Sequence, residues 1–288
     1  MIYLHNDSVE AVINPLGAEL QKLIGRESGI NYLWSGDPAY WGKFSPVLFP
    51  IVGTLKDNHY SYKGSFYTLH RHGFAREKMF SAERVSDTEA IFTLQDDEST
   101  RVVYPFRFVL QLKYKIEGNR LTVTYTVYNP GEDELFFSIG AHPAFAVPIK
   151  KELAYTDYYL QFNEPETAVR WGLQDGLLLD TAEPFLVKEQ QIHLSAELFA
   201  SDAIVLKGLK STSVALRTAI DSRGLSFGIS GWPHLGIWAA PGAPFVCIEP
   251  WQGHADPVSH DGDISHKPGM VKLAASEDWQ KSWWVELY

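Results

Sequence analysis

The sequence predicts an all-β protein built as a large antiparallel β-sandwich, and three observations carry that expectation. From Arg107 to Ile116 the residues Phe108, Leu110, Leu112, Tyr114 and Ile116 fall at every second position. That is the period of a strand with one buried face. The next segment repeats it: Leu121, Val123, Tyr125 and Val127 alternate with Thr122, Thr124 and Thr126, after the turn-forming Glu117-Gly118-Asn119. Two such runs joined so closely make a hairpin. The third observation is that 288 residues, 45% of them hydrophobic, hold many short strand-like runs and very little helical periodicity.

Further strands are expected from Glu89 to Leu94, Leu135 to Ile139, Tyr158 to Phe162, Ala203 to Leu206 and Val214 to Leu216. Three more are expected from Leu225 to Ile229, Gly236 to Ala239 and Phe245 to Ile248. Helical signal is confined to one turn from Ser195 to Phe199 and a short helix from Ser276 to Trp284, opened by a Ser cap with acidic residues behind it. Neither anchors a helical layer, so an antiparallel sandwich is expected rather than helices wound around a parallel sheet. One domain spanning residues 1–288 is expected, because large sandwiches fill this length as a single unit. The Pro/Gly-rich stretches Ser35 to Ser45, Ala240 to Pro244 and His254 to Gly269 read as site-forming loops.

A net charge of -10 without any Lys/Arg block argues against nucleic acid or an anionic membrane as partner, since both need a basic footprint. A neutral, polyhydroxylated small molecule fits better. One cysteine, Cys247, leaves no internal disulfide framework, and the N-terminal stretch lacks the basic and apolar blocks of a signal peptide, so a cytoplasmic protein is expected. No apolar run reaches the roughly 18 residues that suggest a membrane span. Nine Trp and fourteen Tyr bring the aromatic content to 14%. Most of these rings are expected in the core, and a few as stacking platforms for a sugar face.

Three stretches combine titratable side chains with Gly and Pro at strand ends: His70-Arg71-His72-Gly73-Phe74-Ala75-Arg76, Ser138-Ile139-Gly140-Ala141-His142-Pro143-Ala144-Phe145, and Val246-Cys247-Ile248-Glu249-Pro250-Trp251-Gln252. In the second, an apolar strand ends at Gly140 and a stiff His-Pro step presents the His142 imidazole. In the third, Glu249 follows an apolar run at the mouth of a buried strand, where desolvation raises a carboxyl pKa. Taken singly, each admits a structural reading: a hydrogen-bonded histidine before proline, a solvated glutamate at a strand end.

Together, His72-Gly73-Phe74-Ala75-Arg76, Gly140-Ala141-His142-Pro143-Ala144-Phe145 and Cys247-Ile248-Glu249-Pro250-Trp251 resemble the signature segments of the aldose 1-epimerase (galactose mutarotase) family, in a shorter bacterial branch with an HGFAR motif. The similarity runs nearly end to end, including Asn14-Pro15-Leu16-Gly17-Ala18-Glu19-Leu20 and Phe49-Pro50-Ile51-Val52-Gly53. The resemblance implies a β-supersandwich that interconverts the anomers of an aldose without a cofactor, with His142 as general acid and Glu249 as general base. It also implies His72 and Asp202 as sugar-binding residues, although Asp202, in Ser201-Asp202-Ala203, reads equally as a turn residue. Arg76 resembles the arginine of the HGFAR branch, which contacts the sugar or an anionic substituent; pairing with a loop carboxylate is the alternative. Many relatives carry a sugar-reaching arginine where this chain has Thr54, and Arg71 is the candidate to supply the missing cation, although strand alternation would point Arg71 and His72 to opposite faces. Trp41, Phe145, Trp238 and Trp251 are candidates for the ring beneath the sugar, and the sequence does not rank them.

No cofactor and no catalytic metal are expected. The His/Asp-rich loop from His254 to His266 lacks a metal-ligand spacing and reads as a polar, solvated loop near the site, and Cys247 reads as a small buried hydrophobe. A monomer or a weak homodimer is expected. The competing readings are a hexose-6-phosphate mutarotase using Arg71 or Arg76 on the phosphate, a non-catalytic sugar-binding or sensing domain, and, last, a glycoside hydrolase, which would want two carboxylates rather than a carboxylate and an imidazole.

Overall fold

The computed structural model describes residues 1–288 and is a large antiparallel β-sandwich. The predicted hairpin forms as Val109–Glu117 and Arg120–Tyr128, in register from Val109↔Tyr128 to Glu117↔Arg120. Its turn is Gly118-Asn119, with Gly118 at φ 58°, a left-handed conformation that glycine adopts without a Cβ clash. Every apolar residue of the alternating pattern from Leu110 to Val127 lies buried. The strand Asp278–Leu287 pairs along the outer side of Arg120–Tyr128, and Leu225–Gly228 continues the sheet beyond it.

That strand overturns the expected C-terminal helix. Trp283, Val285 and Leu287 are buried at every second position, which is a strand period, and sheet neighbours on both sides complete their hydrogen bonds. Ser276 is not a helix cap: it sits at φ 63° and its N–H donates to the Asn129 carbonyl. Local cap chemistry loses to pairing on two edges. The expected turn near Ser195 forms as a 3-10 helix, Ala196–Phe199. The one α-helix, Glu98–Val103, was not anticipated; Asp97 caps it by accepting from the Thr100 N–H.

Seven-stranded continuity positions the site. Hydrogen-bonded neighbours run in the order Val47–Leu48, Ile139–Ala141, Phe245–Gln252, His234–Trp238, Ile204–Lys207 and Tyr158–Gln174, with Ala144–Ala146 also pairing onto Phe245–Gln252. Tyr158–Gln174 and Leu177–His193 form a long hairpin, far beyond the expected Tyr158 to Phe162. Its register shifts at several points, and the run of three exposed residues after Phe162, Asn163 to Pro165, breaks the alternation that would have marked a strand. One apolar cluster of 70 buried residues joins the sheets. No helix is long and apolar enough to cross a membrane.

Candidate active site

Phe245–Gln252 is buried from Phe245 through Trp251, so its side chains can be tolerated only where neighbouring strands make room. Gly140 and Gly236, on the two strands flanking Trp251, make that room. A Cβ on Gly140 would meet Trp251 Cδ1 at 2.6 Å and one on Gly236 would meet Trp251 Cζ2 at 2.3 Å. The indole therefore lies in a slot that only glycines leave open. Two residues earlier on the same strand, Glu249 projects into a cavity of about 560 Å³, within the range of small-molecule sites.

His142 reaches the same place from the step between Ile139–Ala141 and Ala144–Ala146, both of which pair with Phe245–Gln252. Its Nε2 lies 3.3 Å from Glu249 Oε2. Three rings hold the imidazole: Trp41 stacks on it at 4.8 Å, and His72 and Trp238 meet it edge-on, each at 5.7 Å. Trp41 is itself fixed by its backbone, its N–H donating to the Asp37 carbonyl and its carbonyl accepting from the Trp34 indole.

Burial sets the protonation states. It pulls His142 down to about 3, with the Arg76 and Arg71 charges adding to the effect. It pushes the Glu249 carboxyl well above the usual carboxylate range; the nearby Trp251 indole opposes this and the Asp202 charge reinforces it. Glu249 Oε2 and the Trp251 indole N–H nevertheless close no well-aligned hydrogen bond within the protein. A buried carboxyl oxygen without a well-aligned partner in the protein is one that a bound hydroxyl can satisfy.

The His70 to Arg76 stretch is a turn leading into the 3-10 helix Ala75–Glu77. His72 sits at φ 70° and Gly73 at φ 66°, and a Cβ on Gly73 would strike the Phe49 carbonyl oxygen at 2.4 Å. This geometry corrects the expectation from strand alternation, because Arg71, His72 and Arg76 all line the one cavity. His72 Nδ1 accepts from the Gly53 N–H at 3.1 Å, so the neutral ring carries its proton on Nε2. Arg71 Nε donates to Thr54 Oγ1 at 2.8 Å: the guanidinium is tethered to the residue that stands at the usual arginine position. Arg76 donates to the Arg71 carbonyl at 3.0 Å, and the nearest carboxylate, that of Glu77, is 3.7 Å from its Nε.

Asp202 is both a turn residue and a cavity residue. At φ 72° it follows the 3-10 turn, its Oδ1 accepts from the Ala203 N–H at 2.7 Å, and it lines the cavity. Trp41, Trp238 and Trp251 also line it. Phe145 does not: it is fully buried and packs on Phe227, which removes it as a stacking candidate.

Several lining residues went unread in the sequence. Leu173, Gly176 and Leu178 come from the tip of the long hairpin, and His254 from the loop after Phe245–Gln252. The tip is anchored to that loop, with the Leu178 N–H donating to the Asp256 carbonyl and the Val258 N–H to the Leu178 carbonyl. The loop is not simply solvated, as expected: Asp256 and Lys267 are buried as an ion pair at 2.6 Å, with His254 and His260 buried beside them. Its polar residues also tie it to its surroundings, Asp256 Oδ2 accepting from the Lys56 N–H at 2.9 Å and the Ser259 hydroxyl donating to Asp180 at 2.9 Å, and no trio of metal-donor side chains converges within it.

The model of the family described as Aldose 1-epimerase matches residues 1–269. The LacX protein of Lactococcus lactis subsp. lactis is 32% identical over 98% of this chain and 97% of its own length. A galactose mutarotase related enzyme from Lactobacillus acidophilus superposes with a TM-score of 0.94 at 34% identity, covering 100% of this chain and 97% of that one. A galactose mutarotase-like protein from Lactobacillus casei gives 0.94 at 29% identity, covering 100% of both chains. With the His142 and Glu249 segments inside the matched residues and the sandwich shared end to end, the chain belongs to the aldose 1-epimerase family.

Proposed function

We propose that this protein is a mutarotase that interconverts the α and β anomers of an aldose, with Glu249 and His142 as its proton-transfer pair. The observation that carries the reading is the 3.3 Å approach of His142 Nε2 to Glu249 Oε2 at the wall of a cavity lined by tryptophans and by polar groups suited to hydroxyls.

Mutarotation opens a hemiacetal and closes it on the other face of the aldehyde. O1 loses its proton, C1=O forms as the C1–O5 bond breaks, and O5 gains a proton. Two groups 3.3 Å apart can address these two oxygens of one carbon together. Glu249 takes the O1 proton and His142, as imidazolium, donates to O5; rotation about C1–C2 and reversal of both transfers complete the exchange. The pair needs one proton between its members. Burial favours the neutral form of the pair, imidazole with carboxylic acid, which carries the same single proton; transfer of that proton from Glu249 to His142 gives the imidazolium and carboxylate from which the scheme starts. Neither a cofactor nor a covalent intermediate enters the scheme.

His72, through Nε2–H, and Asp202, through its carboxylate, hold sugar hydroxyls, and Trp251, fixed in its glycine slot, offers a ring to the apolar face of the sugar. Polarimetry on freshly dissolved α-galactose and α-glucose tests the reading: the protein accelerates the change, and Glu249→Gln removes most of that acceleration.

A second reading concerns the substituent on the sugar. Arg71 has no carboxylate partner and Arg76 keeps a buried Nε without a hydrogen-bond acceptor, in a protein of net charge -10. Two guanidiniums on one cavity wall favour a hexose 6-phosphate over a neutral hexose. Comparing the rate on glucose 6-phosphate with the rate on glucose decides between them.

A further inference from the structure

Cys247 lies two residues before Glu249 on Phe245–Gln252, so their side chains leave the strand on the same face. Ala144 pairs with Cys247 and Gly140 with Trp251, which brings the intervening His142 over the same short stretch of backbone. One donor atom from each of Cys247, His142 and Glu249 falls within 4.8 Å of the others, and this is the one place where three such donors converge. All three residues are buried.

We propose that Cys247, His142 and Glu249 form a binding site for a thiophilic divalent cation such as Zn²⁺, whose occupancy blocks the proton-transfer pair. The geometry and the donor chemistry both point there. A tetrahedral ion with bonds of about 2.0–2.1 Å to nitrogen and oxygen sets those two donors roughly 3.3 Å apart. His142 Nε2 and Glu249 Oε2 are 3.3 Å apart already. The thiol needs to approach by no more than roughly 1.5 Å to reach its own tetrahedral distance of roughly 3.5 Å from each. Oε2, with Glu249 only 1% exposed, has no hydrogen-bond partner within the protein.

Charge balances as well. A thiolate and a carboxylate cancel the two positive charges of the ion, and a neutral imidazole supplies the third donor, so an apolar pocket takes up the ion without acquiring net charge. The thiol and the pair's shared proton are the protons released. Arg71 and Arg76, on the same cavity wall, oppose a dication and Asp202 favours it. His142 and Glu249 line the cavity, so the ion reaches the site from that side, where water or a sugar hydroxyl completes the shell. Once bound, the ion occupies the lone pairs that Glu249 and His142 need for proton transfer. The blocking effect rests on the mutarotase reading, whereas the site itself does not.

Co²⁺ reports this site directly, because the full chain contains a single cysteine and a thiolate–cobalt charge-transfer band can arise only from Cys247. The expected result is a one-to-one titration with that band and the intense visible bands of tetrahedral cobalt, displaced by Zn²⁺. The band is lost in Cys247→Ala and at least tenfold weaker in affinity in Glu249→Gln. In the polarimetric assay, Zn²⁺ inhibits the wild type at stoichiometric occupancy, and at least tenfold more is needed to inhibit Cys247→Ala relative to its own metal-free rate. Absence of the thiolate band at millimolar Co²⁺ overturns the site, whatever the turnover on sugars, as does equal inhibition of wild type and Cys247→Ala. A band in a protein inert on every sugar keeps the site and removes the mutarotase reading alone.

Discussion

Arg71 Nε donates a hydrogen bond of 2.8 Å to Thr54 Oγ1, which fixes a guanidinium at the cavity wall by way of a residue 17 positions earlier in the chain. The tip of the long hairpin covers it: a Cβ on Gly176 would meet Arg71 Nη2 at 2.2 Å. The cation is thus oriented by a hydroxyl beneath it and by a glycine above it.

Thr54→Val keeps the shape of the side chain and removes the hydroxyl. Freed from its tether, Arg71 loses orientation without leaving the cavity, so the expected result is a KM about 3–10-fold higher with kcat within about twofold, within the roughly 0.5–1.5 kcal/mol net worth of one ordinary hydrogen bond. Arg71→Met should raise KM further, most of all for a phosphorylated sugar. Steady-state rates on glucose and glucose 6-phosphate check both, and an unchanged KM in Arg71→Met on both sugars would remove Arg71 from substrate binding.

Gly236→Ala places a methyl group where the Trp251 ring lies. Overpacking of this kind costs about 1–3 kcal/mol, and the indole must shift from its place in the cavity wall. Lower thermal stability together with at least a tenfold loss of turnover is expected. Stability and turnover both equal to wild type would show that the slot does not position the ring.

Glu249 and His142 give opposite pH signatures in stability. The folded protein holds the Glu249 proton more tightly than the unfolded chain does, so the stability this group contributes is present below about pH 4.5 and is lost as pH rises toward its raised pKa. Glu249→Gln escapes that loss, and its melting temperature should gain on wild type as pH rises above about 4.5. For His142 the folded pKa of about 3 lies below the unfolded value, so its contribution is present above about pH 6.5 and is lost as pH falls toward 3. His142→Asn should gain on wild type in that acid window instead. Melting curves at pH 4, 5.5 and 7 distinguish the two, and parallel curves for all three proteins would mean that neither group is held in its neutral form by burial.

Trp283, 1% exposed and stacked on Phe227 at 5.3 Å, belongs to the strand that replaced the expected helix. Trp283→Ala should cost about 3–5 kcal/mol in denaturant unfolding while leaving the turnover of the folded fraction near wild type. A loss below about 1 kcal/mol would place the ring outside the core.

The strands legible in the sequence were those with one buried face, such as Val109–Glu117 and Arg120–Tyr128, because alternation is a local signal. Asp278–Leu287 was misread because Ser276 and the acidic residues after it imitate a helix cap, while the pairing partners that decide the matter lie more than 50 residues away in Leu225–Gly228 and Arg120–Tyr128. Around the cavity, the sequence segments located His72, His142, Glu249, Asp202 and both arginines, and all of them line it. What they could not show was the hairpin tip at Gly176, the Thr54–Arg71 tether or the burial of Phe145, each of which depends on contacts between distant strands.

The most direct test of the account compares anomer exchange catalysed by wild type, Glu249→Gln and His142→Asn, by polarimetry on α-galactose and α-glucose and by NMR exchange on glucose 6-phosphate. The account predicts acceleration by wild type on at least one of these sugars and a loss of about 10²–10⁴-fold in each variant, with the circular dichroism of a folded β protein retained. Folded variants that turn over at the wild-type rate would contradict the assignment of Glu249 and His142 as the proton-transfer pair.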